Sequence, residues 1–134
     1  MNNLTEQEKN IIEGLKTLLV LDNPPDISQD RFDIIIDNLI SNDERELMWR
    51  LCGTLDGYNY NKVIDYFVNV RDSYYIEELV SFTCGELDQE HLVNKMIETN
   101  DKTFIKDSLE ECGKSMQYSM KEENLEKLLE FIKN

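Results

Sequence analysis

The residues with the most reactive side chains are one histidine and three cysteines, so chemistry is sought there first. His91 stands between Glu90 and Leu92 at the start of a helical pattern, and Cys52, Cys84 and Cys112 are widely spaced near the ends of apolar patterns. Structural zinc needs three or four ligands, often in close Cys or His pairs, and no Cys-x-x-Cys or His-x-x-x-His occurs. A nucleophilic cysteine needs a partner base and a lowered pKa, and only His91 could serve. The thiols therefore read as reduced and mostly buried, and His91 as an exposed surface residue. Gly53, Gly57, Gly85 and Gly113 stand singly at helix ends and form no phosphate-cradling loop, while Gly14 suits close packing inside a helix. Asp22, Asp26 and Asp30 lack the glycine and final glutamate of a calcium loop. These observations point to a non-enzymatic chain with no cofactor and no metal.

What remains is charge. The chain of 134 residues carries 28 acidic and 14 basic side chains, a formal charge of -14. A surface of that sign repels phosphate backbones and anionic lipid, so neither direct nucleic-acid binding nor membrane binding is expected. A basic protein surface, or a groove that normally holds nucleic acid, is attracted instead. No basic stretch followed by an apolar run opens the sequence, which reads as a cytoplasmic protein.

Helical periodicity supplies the elements that must carry these groups. Ile11, Ile12, Leu15, Leu18 and Leu19 form a stripe behind a capping box of Thr5 and Glu8, predicting a first helix from Thr5 to Leu21 that Asn23-Pro24-Pro25-Asp26 stops. A second helix starts near Ser28 with Phe32, Ile35, Ile36, Leu39 and Ile40 as its apolar face. Leu47, Leu51 and Leu55 carry a third, closed by Gly57.

From here the pattern repeats. The five positions of the second helix recur 28 residues later as Tyr60, Val63, Ile64, Phe67 and Val68. They recur after 29 more as Gln89, Leu92, Val93, Met96 and Ile97, with the first place lost to a polar residue. A fourth copy, shifted by 32, matches at Leu125, Leu128 and Leu129. Asp43, Asp72 and Asp101 are spaced by 29 where an N-cap or first-turn acid is favoured, and Leu47, Ile76 and Ile105, then Leu51, Val80 and Leu109, follow them.

The fold class is all-α, and one hairpin cannot bury both faces of its stripe, so successive hairpins must stack. The chain reads as a single helical-repeat domain over 1–134, a short α-solenoid of four antiparallel hairpins and about eight helices. The hairpins fall near Thr5 to Ile40, Asp43 to Val68, Asp72 to Ile97 and Asp101 to Ile132. A compact multi-helix bundle is the alternative.

The stretches Asp72-Ser73-Tyr74-Tyr75-Ile76 and Leu92-Val93-Asn94-Lys95-Met96-Ile97 resemble a family of short helical repeats of bacterial and phage proteins, with units of about 29 residues. That family is distantly HEAT-like, though its units are shorter and lack the internal proline. The resemblance implies a scaffold and transfers no catalytic residue.

Two acidic clusters are candidate footprints for a basic partner: Asp30, Asp33 and Asp37 on one face of the second helix, and Glu77, Glu78, Glu86, Asp88 and Glu90 further on. Glu98 extends the second cluster, which meets only Lys95 between Asp72 and Asp101. Tyr58, Tyr60, Tyr66, Tyr74 and Tyr75 crowd the centre with Trp49; Tyr60 lies on the stripe, while Tyr58, Tyr66 and Tyr74 fall off it and suit an exposed recognition patch. The function expected is binding of another protein. Its sharpest form is a small phage or bacterial inhibitor, such as an anti-CRISPR protein, that blocks a nucleic-acid-binding surface. An immunity protein neutralising a basic toxin, or a self-associating structural or regulatory homo-oligomer, fits the same composition.

Overall fold

The structure is a computed structural model that describes residues 3–17, 26–55, 57–82, 87–110 and 120–134. Among the described residues there are eight α-helices and no strand. They are α1 (Glu6–Lys16), α2 (Gln29–Ser41), α3 (Arg45–Thr54), α4 (Asn61–Asn69), α5 (Ser73–Phe82), α6 (Gln89–Glu98), α7 (Lys102–Glu110) and α8 (Glu122–Lys133). The chain divides into two compact units, Met1–Tyr58 and Asn59–Asn134. The division falls between α3 and α4, inside the helix pair expected near 43–68.

In the first unit α1 and α2 both pack on α3. The helix starts follow their caps: Thr5 and Glu8 form the expected capping box, and the Ser28 hydroxyl accepts from Arg31 N at 3.2 Å. The core is the expected stripe, with Ile11, Ile12 and Leu15 buried against Phe32, Ile35, Ile36, Leu39, Leu47, Met48, Leu51 and Leu55. Ile40 is only half-buried. Helix α1 ends at Lys16 with Thr17 as its C-cap, short of the expected Leu21, while Leu18 to Leu21 and the Pro24-Pro25 stop lie outside the described residues.

In the second unit α4 packs on α5 and α6, α5 on α7, and both α6 and α7 on α8. Tyr60, Val63, Ile64, Phe67, Val68, Ile76, Val80, Leu92, Val93, Met96, Ile105, Leu109 and Leu128 are buried, so most of the repeated positions form the core, while Ile97 and Leu125 are half-buried and Leu129 is exposed. Gln89, where the stripe turns polar, is buried too, at 5% exposure. Its Oε1 accepts from Lys121 N at 2.8 Å and from Asn124 Nδ2 at 3.3 Å, satisfying an otherwise orphaned amide at the start of α8.

The turns repeat more closely than the caps. Asp43, Arg71 and Asn100, 28 and 29 residues apart, all adopt the left-handed conformation, with φ of 51°, 59° and 53°. Their N–H groups donate to Ile40, Val68 and Ile97 carbonyls at 3.0, 3.1 and 3.0 Å. Glu44 and Asp72 complete the closure by donating to Leu39 and Phe67 carbonyls at 2.9 Å, the six-to-one bond that ends a helix on a left-handed residue.

This overturns one expectation. Asp72 and Asp101 do cap, accepting from Tyr75 N at 3.1 Å and Phe104 N at 3.0 Å. Asp43 does not: it occupies the left-handed place one residue earlier and its carboxylate meets Arg45 Nε at 2.7 Å. Helix α3 likewise ends before the expected glycine, at Thr54 with Leu55 as its C-cap, and Gly57 follows at φ 85°.

Candidate functional site

Cys52 lies in the core at 1% exposure, and burial pushes its thiol well above the ordinary range, leaving it inert. Cys84 and Cys112, with Gly85 and Gly113, lie outside the described residues. His91 is not the exposed residue expected from sequence. It is half-buried, and its Nε2 lies 2.7 Å from Asp65 Oδ1, tying α6 to α4. Among the described residues no group of three or more His, Cys, Asp or Glu is placed to hold a metal ion.

A shallow, open hollow of about 500 Å³ at the start of α8 is lined by Lys121, Glu122, Glu123 and Glu126, with no apolar wall to hold a small organic ligand. A groove of about 200 Å³ opens in the first unit, where Leu4, Ile12, Leu39 and Leu47 meet Lys9 and Glu13. Pockets for small organic ligands start at roughly 300 Å³, so this depression suits a side chain rather than a cofactor.

The candidate surface residues separate into three kinds. Asp30 and Asp37 on α2 are exposed, as are Asp88 and Glu90 at the start of α6. Asp88 is also the N-cap of α6, accepting from His91 N at 3.0 Å. Asp33 is half-buried and accepts from Gln29 Nε2 at 2.9 Å. Glu86 lies outside the described residues.

Glu77 departs most from the expectation of a solvated acid. It is buried at 9% exposure, with the Ser81 hydroxyl donating to its Oε1 at 3.3 Å. Beside it the Glu78 carboxyl is held above its ordinary pKa, first by its own desolvation and then by the charge and hydrogen bonding of Glu77.

The tyrosines sort in the same way. Tyr58, expected on the surface, is half-buried; its hydroxyl donates to Ile27 O at 2.6 Å and accepts from Ile27 N at 3.0 Å. Its ring stacks on Phe32 with centroids 4.7 Å apart, so it fastens the entry to α2. Tyr66 is half-buried against Phe67. Tyr74 alone of the three is exposed, at 58%, standing edge-on to Tyr75, which itself stacks on Phe67.

One tie that sequence reasoning missed joins α1 to α2. Glu8, 2% exposed, meets Arg31 through both carboxylate oxygens, Nε to Oε2 at 2.7 Å and Nη2 to Oε1, while its Oε1 also accepts from Thr5 N at 2.8 Å. Arg31 dominates in holding the Glu8 carboxyl down to about 2, against the opposing cost of burial. Glu8 was legible as a cap; its partner 23 residues away was not.

No protein-family model matches the chain, and no curated protein or solved structure matches it at a significant level. The likeness to short helical repeats therefore rests on the residues themselves. Among the described residues no helix is long and apolar enough to cross a membrane.

Proposed function

We propose that the chain is a non-enzymatic protein-binding module that docks through its acidic surface on a basic partner. The observation that carries this reading is the charge of -14, together with the solvent exposure of Asp30, Asp37, Asp88 and Glu90. Carboxylates held in place on rigid helices attract a basic surface at long range and align it on encounter. Tyr74 supplies an amphipathic ring of the sort that interfaces favour. In the finer form, the chain is a short α-solenoid of four antiparallel hairpins; the repeated left-handed turns and, within the second unit, the packing of α4 on α6 and α6 on α8 support it.

The sharpest biological form is a phage or bacterial inhibitor that occupies a nucleic-acid-binding surface, as an anti-CRISPR protein does. The test is affinity capture from host lysate at low and at high salt, repeated with Asp30→Lys, Asp37→Lys and Glu90→Lys combined. Capture should weaken with salt, and the triple variant should lose about tenfold or more in affinity at low salt. Capture indifferent to both would sink the electrostatic reading. A captured toxin in place of a nucleic-acid-binding protein would make the chain an immunity protein.

A further inference from the structure

Helix α8 buries one face and leaves a second apolar one partly open. Leu128 and Asn124 are buried, at 0% and 6% exposure, on the side packed against α6 and α7. Leu125, Leu129 and Ile132 follow the i, i+4, i+7 spacing of a neighbouring face. Leu129 is 42% exposed and the other two are half-buried. The three span only ~10 Å of helix, which by itself does not define an occupant.

The flanking charges do. At about 100° per residue, Glu122, Glu126 and Lys133 fall along the outer edge of this stripe, and all three are exposed. Acid marks the N-terminal end of the edge and base its C-terminal end. That pattern is self-complementary when two copies lie antiparallel about a two-fold axis, because Lys133 of each copy then faces the turn between Glu122 and Glu126 of the other. We propose that α8 is a self-association surface on which a second copy of the chain packs its own α8 antiparallel.

The whole-molecule charge works against this contact. Two bodies of -14 each repel, and the stripe belongs at the small end of specific interfaces, so the dimer is weak and tightens as salt screens the repulsion. Capture of a basic partner has the opposite salt dependence, so the two proposals stand or fall separately.

Sedimentation of the full chain over concentrations from about 10 µM to about 1 mM, at low and high salt, tests it. The expected result is a concentration-dependent dimer, stronger at high salt. Leu129→Glu weakens it about tenfold or more, with unchanged helical circular dichroism because that side chain is exposed. Lys133→Glu weakens it as well, and combining Lys133→Glu with Glu126→Lys restores it. A chain that stays monomeric throughout overturns the proposal and leaves the stripe to another occupant. Association unmoved by Leu129→Glu, or not restored by the charge swap, overturns it equally.

Discussion

Removing a carboxylate from water costs several kcal/mol unless its lone pairs are filled, and at Glu8 they are filled by the Arg31 guanidinium and the Thr5 backbone amide. Because the folded pKa is depressed to about 2 from an ordinary 4.5, the pair stabilises the fold above that ordinary value and is lost as the pH falls toward the lower one. The contribution is on the order of 2 kcal/mol at neutral pH, allowing for the partial exposure of Arg31. Urea unfolding of Glu8→Gln should show a loss of that size at pH 7, and a flatter acid limb than the unsubstituted chain. The Glu78 carboxyl obeys the opposite sign. With its pKa raised, its favourable term is present below the ordinary carboxyl range and disappears as the pH rises through the folded value. Replacing Glu77 by Gln removes the like charge while keeping an acceptor for Ser81. NMR titration should then find Glu78 ionising at lower pH, and the variant gaining stability at pH 7 relative to pH 4. A Glu78 titration unmoved by the change would leave desolvation as its entire cause.

Between elements, the informative unit is the left-handed turn. A residue with a side chain pays ~1 kcal/mol to sit there, a cost that Asn and Asp bear better than most. Arg71 offsets it differently: Nη1 donates to Val68 O at 2.8 Å, Nε pairs with Asp101 at 3.2 Å and the guanidinium lies 5.4 Å from the Phe104 ring centre. The Asp101 carboxyl is correspondingly held below its ordinary range, chiefly by the Phe104 amide and then by Arg71. At Asn100, Ala should cost about 1 kcal/mol in denaturant unfolding, whereas Gly should be neutral or stabilising by a few tenths. Equal effects of Ala and Gly would mean that the turn conformation carries no such cost. The stripes that these turns connect were legible because burial imposes a 3.6-residue period on apolar side chains, and Phe32, Phe67 and Met96 obey it. The turn register was not, since an acid at Asp43 resembles a cap and only backbone geometry reveals the one-residue offset. Gln89 looked like a broken stripe because the amide it satisfies, at Lys121, is 32 residues away. Tyr58 and Glu77 were misplaced on the surface for the same reason: their burial is set by tertiary neighbours that periodicity does not encode. Of the candidate surface, the legible part was its sign of charge; which acids stay open was not.

For the molecule as a whole, 14 excess negative charges mean that folding gathers like charges together, and the compact state is strained by its own field. Raising salt from about 10 mM to about 200 mM should therefore increase unfolding stability by about 1 kcal/mol, read as a higher thermal midpoint. A midpoint that falls with salt would show that the local ion pairs outweigh the global repulsion. The same excess keeps copies apart at low ionic strength and draws in basic surfaces, so solution conditions select between the proposed associations. A last property follows from the connections that carry Asp43, Arg71 and Asn100, each three residues long between the helices it joins. Such a short link transmits rotational phase as a screw thread does. One inserted residue would swing the next helix by about 100° and carry its greasy side round to the water. Insertions and deletions are thus barred from these three joints, and any change in chain length has to be absorbed where odd-numbered helices pass to even-numbered ones.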